Sequence, residues 1–261
     1  MTSTIERTDA SRTGAPALTL RGVGKSFGTG AGAVTALRNI DLQIRPGEFV
    51  CLLGASGCGK STLLNLVANL DAPTTGDVEV GTARPSFMFQ EAALLPWLTA
   101  RRNVELALQL AGQGRRERRA RTDELLALVR LGGQGDKRPH ELSGGMRQRV
   151  SLARALAATT AVGDAEGRPG LLLMDEPFAA LDAITRDVLQ TELLRVWEAT
   201  GTTILFVTHD VREAIRLAQR VVLLSSRPGT VVREWRVGDG PLDLHDEITG
   251  RLRQVIASHA A

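Results

Sequence analysis

The chain has 261 residues, 43% of them hydrophobic and 23% charged, with a formal net charge of +3. That length suits one large α/β domain with a buried core and is short for two, and the composition is that of a globular chain folding in water. So small a net charge gives no case for nucleic acid, and apolar runs such as Val221–Leu224 and Leu171–Met174 fall far below the roughly 18 residues that span a bilayer.

Residues 1–17 are polar, lack an apolar centre, and read as a loose tail and not as a signal peptide. Strands follow at Leu18–Val23 and Ile40–Ile44, joined by a glycine-rich turn at Gly28–Gly32. Glu48–Leu53 is a buried strand, then a glycine-rich loop, then a helix from Lys60 to about Leu70. Cys51 and Cys58 lie within that unit with neither metal nor disulfide spacing, as suits a reducing compartment. Ser86–Gln90 is a short strand, and Thr99 to Leu131 carries helical spacing without a strand signal. The basic run Arg115–Arg121 within it reads as the solvated face of a helix. A helix runs from Gly145 to about Ala158, strands at Leu171–Asp175 and Thr203–Thr208 flank a helix at Ala183–Ala199, strands at Val221–Ser226 and Val231–Val237 close the sheet, and a helix covers 244–258. Such alternation predicts a largely parallel sheet covered on both faces.

Three stretches carry chemistry. Gly54-Ala55-Ser56-Gly57-Cys58-Gly59-Lys60-Ser61 fits the Walker A pattern between a strand and a helix. Its backbone N–H groups and the helix N-terminus would cradle phosphate oxygens. Lys60 would reach the β- and γ-phosphates, and the Ser61 hydroxyl would bind Mg²⁺. Leu171–Met174 ends in Asp175-Glu176, which places two carboxylates at the carboxyl edge of the sheet, where such folds bind ligands. Asp175 would hold the metal ion and Glu176 the attacking water. Thr203–Thr208 ends in His209, which could contact the γ-phosphate and align Glu176. Taken singly, the carboxylates could be a solvated strand cap and the histidine structural.

Leu142-Ser143-Gly144-Gly145-Met146-Arg147-Gln148-Arg149 opens a helix. Generic phosphate-loop chemistry does not require it, but it resembles the signature sequence of the ABC family, usually LSGGQ. With Walker A, Gln90 after a strand, the acidic strand end, Ala180-Leu181-Asp182 and His209, the ATPase motifs of that family occur in order over roughly residues 18–237. The resemblance implies a P-loop NTPase of ABC type. Its mostly parallel core would carry an antiparallel β subdomain and a helical insert at about 92–150, within a nucleotide-binding domain at 18–240 and before a helical extension at 241–261.

It further implies that ATP is sandwiched between two copies of the chain. One copy would supply the Walker A residues Gly54 to Ser61 with Thr62, and the other would supply Ser143, Gly144 and Gly145. Gln90 would join Ser61 and Asp175 on Mg²⁺ and sense a membrane partner, Asp182 would touch the opposite phosphate loop, and Phe27 would stack on adenine. The family often has Tyr at the place of Phe27, and this chain contains no Tyr. The implied partners are two transmembrane permease subunits and, indirectly, an extracytoplasmic solute-binding protein, with the chain at the cytoplasmic face of the membrane.

Two features depart from the family pattern. Met146 replaces the usual Gln, which leaves the backbone donors intact, and Thr160–Gly170 looks like a surface insertion. Gln90-Glu91-Ala92-Ala93-Leu94-Leu95-Pro96-Trp97-Leu98-Thr99 and Leu224-Ser225-Ser226-Arg227-Pro228-Gly229 resemble the nitrate, sulfonate and taurine importer branch, with aliphatic sulfonate the first expectation for cargo. An exporter ATPase, or a soluble ABC protein of translation or repair, is the alternative. Intact Glu176 and His209 argue against a non-hydrolysing cassette.

Overall fold

Four strands, Phe49–Leu53, Leu171–Asp175, Thr203–Thr208 and Arg220–Leu224, are apolar over most of their length and almost wholly buried because both of their faces are covered. They belong to a six-stranded sheet in the order β5-β6-β7-β3-β8-β9. It is built from β3 (Phe49–Leu53), β5 (Ser86–Met88), β6 (Leu171–Asp175), β7 (Thr203–Thr208), β8 (Arg220–Leu224) and β9 (Val231–Arg236). The pairings are parallel except for the antiparallel β8–β9 edge. Successive side chains alternate between faces, so Phe49, Cys51, Leu53, Met174, Phe206 and Leu223 enter one buried cluster. Val50, Leu52, Leu173, Val207, Val222 and Leu224 enter another. The computed structural model describes residues 15–81, 85–161, 170–238 and 243–257. Most of the expected N-terminal tail and the centre of the expected Thr160–Gly170 insertion lie outside these residues.

The second cluster is roofed by α1 (Lys60–Val67) and by a three-stranded antiparallel sheet of order β2-β1-β4. Here β1 is Leu18–Phe27, β2 is Val34–Ile44 and β4 is Thr75–Val80. Two of these strands are longer than the sequence predicts, because register shifts after Leu20 and Val23 break the apolar alternation. β4 escaped prediction altogether: of its side chains only those of Val78 and Val80 pack on the core.

The first cluster is covered by helices. The helix-rich insert expected from about Thr99 to Leu131 consists of α2 (Ala100–Leu110) and α3 (Arg115–Leu128), divided around Gly112–Gly114. Both pack on α4 (Gly144–Ala161). The basic residues at the start of α3 are largely exposed, as a solvated face requires. Helices α5 (Ala183–Thr200), α6 (Val211–Leu217) and α7 (Leu244–Ala257) complete this layer. The short α6 has no counterpart in the sequence reading.

Candidate functional site

Parallel strands put their carboxyl ends at one edge, and the charged residues collect there. β3 runs into the loop Gly54–Gly59, β6 into Glu176, β7 into His209, and β8 into the segment Ser225–Thr230. These loops border a cavity of about 980 Å³, lined by Phe27, residues 54–57 and 59–62, Gln90, Glu176, His209 and Arg227 among others. Of the residues singled out as nucleotide ligands or catalytic groups within one chain, the structure therefore brings nearly all together. Cys58 sits behind the wall, buried, and burial pushes its thiol above the usual range.

The turn into α1 depends on Gly59, which has φ 104°. A Cβ there would lie 2.7 Å from Leu37 Cδ2 and 3.0 Å from the Ala36 carbonyl, so only glycine fits. No side chain caps α1, which leaves its N-terminal amides free for an anion. The buried Lys60 ammonium donates to the carbonyls of Gly54 (2.8 Å) and Ala55 (2.9 Å) and stands 4.0 Å from Glu176 Oε1.

The two adjacent carboxylates occupy different environments. Asp175 is buried, and burial raises its pKa; the Ser61 hydroxyl hydrogen bond pulls the other way, and the Glu176 charge adds to the rise. Glu176 adopts a left-handed backbone with φ 44°, its N–H donating to Val207 O at 3.0 Å. Its Oε2 lies 3.0 Å from His209 Nδ1. The metal ligands expected at this edge, Ser61, Gln90 and Asp175, offer only oxygen donors, a set suited to Mg²⁺ and not to softer metals. Among the described residues no group of three or more His, Cys, Asp or Glu side chains could hold a metal ion alone.

Ser143, Gly144, Gly145 and Asp182 do not line this cavity. They gather elsewhere: a Cβ at Gly145 would lie 3.3 Å from Leu181 Cδ2, next to Asp182. Ser143 Oγ accepts from the Met146 N–H at 3.2 Å, and Asp182 Oδ1 accepts from the Thr185 N–H at 2.9 Å. Both thus cap helices with their side chains exposed. Met146 packs against the core, so the departure from the usual Gln leaves a satisfied apolar contact.

The cavity also has lining residues that the sequence reading did not assign. Val34 and Ala36 come from β2, Arg227 from the β8–β9 segment, and Leu252 and Ile256 from α7. Period-two spacing on β2 could have signalled the first pair. Nothing in the sequence points a distant helix at this site.

A family profile described as ABC transporter matches residues 37–179. The chain is 49% identical over 208 residues to the taurine import ATP-binding protein TauB of Burkholderia pseudomallei, covering 77% of this chain and 76% of that one. It is 46% identical over 213 residues to the nitrate import ATP-binding protein NrtD of Synechocystis, covering 79% and 77%. It is 45% identical over 226 residues to the bicarbonate transport ATP-binding protein CmpD of Synechocystis, covering 83% and 77%. Among solved structures it superposes on the dimeric bacterial ABC transporter cassette MJ0796 with a TM-score of 0.76 and 35% identity, over 85% of this chain and all of that one. A profile spanning more than half the chain, relatives near half identity and a shared fold agree on one assignment: the chain belongs to the ABC transporter family and is an ATP-binding domain of it.

Proposed function

We propose that the protein is the ATP-hydrolysing subunit of an importer for a small anion, working as a dimer that holds ATP between a phosphate loop and a facing signature segment. The observation that carries the catalytic part is the placement of Glu176, 3.0 Å from His209 Nδ1 and 4.0 Å from Lys60 Nζ at the mouth of the phosphate loop. Glu176 takes the proton of the attacking water, and His209 holds that carboxylate in line. Lys60 leaves the Gly54 and Ala55 carbonyls for the phosphates as they arrive, so the loop arrives with its cation preplaced. Ser61, Gln90 and Asp175 would hold Mg²⁺, which when bound neutralises phosphate charge.

The dimer reading rests on the two separate groups of motif residues. Ser143, Gly144 and Asp182 are exposed and lie outside their own chain's cavity, which suits a role on a partner copy's nucleotide. No helix among the described residues is long and apolar enough to cross a membrane. In the importer reading the membrane path belongs to permease subunits. The surface for them is the loop before α2. Buried Asn103 donates to the carbonyls of Leu95, Leu98 and Thr99 at 3.3, 3.2 and 3.0 Å and accepts from the Leu95 N–H at 2.8 Å. That clasp leaves Trp97 69% exposed. The names of the relatives support taurine, nitrate or bicarbonate as cargo.

The purified protein is expected to hydrolyse Mg-ATP, and Lys60→Ala to abolish that hydrolysis while remaining folded by circular dichroism. A Lys60→Ala protein as active as the wild type would overturn the reading. Uptake of labelled taurine, nitrate and bicarbonate by cells carrying each form distinguishes the cargoes.

A further inference from the structure

The cavity has one wall that none of the ATPase motifs supplies. Leu252 and Ile256 of α7 line it together with Phe27 and Val34, and their spacing of four puts both on one helix face. Phe27, Val34 and Ile256 are 46, 45 and 48% exposed. Single exposed apolar side chains are ordinary, but three converging on one polar-floored cavity form an enclosure for something flat and apolar.

The helix that bears this wall is firmly held. Ile248 and Val255 are buried, and Glu247 Oε1 accepts from Trp235 Nε1 at 3.0 Å and pairs with Arg233 at 2.8 Å. Its far end is stitched to the phosphate loop. Ser226 Oγ donates to Val255 O at 3.1 Å, and the neighbouring Arg227 guanidinium donates to Gly57 O at 3.4 Å. The same segment presses on the loop at Gly229, where a Cβ would come within 2.3 Å of Cys58 O. The position of Ile256 relative to the phosphate loop is therefore set by a short run of bonds.

We propose that the last turn of α7 is part of the nucleotide site: Leu252 and Ile256 enclose the base of ATP together with Phe27 and Val34, and Arg227 adds a cation at the phosphate end. This rests on the ATP-binding reading above. It assigns the C-terminal helix a binding role in addition to its packing.

The test titrates the full chain with Mg-ADP and, by competition with a labelled nucleotide, with Mg-tripolyphosphate, which has the phosphates and no base. Removing the Ile256 contact in Ile256→Ser is expected to weaken ADP about three- to tenfold, the worth of one half-covered aliphatic side chain, with tripolyphosphate affinity unchanged. Ile256→Val, which cannot disturb folding, is expected to lie between Ser and wild type. Unchanged ADP affinity in both variants overturns the proposal, as does an equal loss for ADP and tripolyphosphate. A loss of ATP-dependent dimerisation with ADP affinity intact also overturns it, and would make Ile256 an interface residue. Failure of the wild type to bind ADP, or Lys60→Ala binding it equally well, would instead sink the ATP reading itself.

Discussion

Glu176 keeps a left-handed backbone, φ 44°, that costs a non-glycine residue on the order of 1 kcal/mol. The strain separates it from its neighbour: Asp175 meets Ser61, while Glu176 meets His209 and Lys60. Two consecutive carboxylates can thereby hold different roles. A third acid nearby serves the core. Glu213 is buried and accepts from Gln190 Nε2 at 2.9 Å. Burial raises its pKa above 4.5, and hydrogen bonds from Thr208 and Gln190 offset part of the rise. A carboxyl whose pKa is raised on folding binds its proton more tightly in the folded state. Stability is then lost as pH climbs from the unfolded value through the folded one. Glu213→Gln removes that loss, so its melting temperature relative to wild type should increase as pH rises through and above the ordinary glutamate range. A difference that stays constant across that range would mean Glu213 titrates alike folded and unfolded.

At the level of elements, β3, β6, β7 and β8 are legible because their apolar runs stop abruptly at glycine or at polar and charged residues. That same stop places Gly54, Asp175, Glu176 and His209 at one edge of the sheet. The rest was hidden for physical reasons. β4 is largely exposed and short of apolar residues, while register shifts against β1 break the alternation in the outer half of β2. α6 spans only Val211–Leu217, too short for a periodicity signal. The contribution of α7 to the cavity depends on tertiary packing that no local pattern encodes. Helix-to-sheet docking can be tested at Trp197 on α5. Its indole N–H donates to Gly47 O at 3.0 Å and its ring meets Phe49 edge-on at 5.7 Å. Trp197→Phe keeps an aromatic ring and strands the carbonyl, so urea unfolding should show a loss of about 1 kcal/mol. No loss would mean that water satisfies Gly47 equally well.

Across the whole molecule, α4 runs from the signature segment back to the loop after β5. Its start carries the signature residues, while Gln148 Nε2 on the same helix donates to Gln90 O at 3.2 Å. Further along, the Arg154 guanidinium donates to Ala92 O at 3.1 Å and Ala93 O at 2.8 Å. Movement of the segment behind Trp97 is thus tied mechanically to the segment that would face a partner's ATP. In this account ATP closes two copies and hydrolysis by Glu176 lets them part, so blocking the base should trap the closed pair. The decisive measurement is light scattering on the Glu176→Gln protein with and without Mg-ATP, alongside its turnover. The account predicts a shift from monomer to dimer on adding Mg-ATP and hydrolysis reduced about 10²–10⁴-fold, the usual worth of a general base. Hydrolysis at the wild-type rate with no ATP-dependent dimer would contradict it.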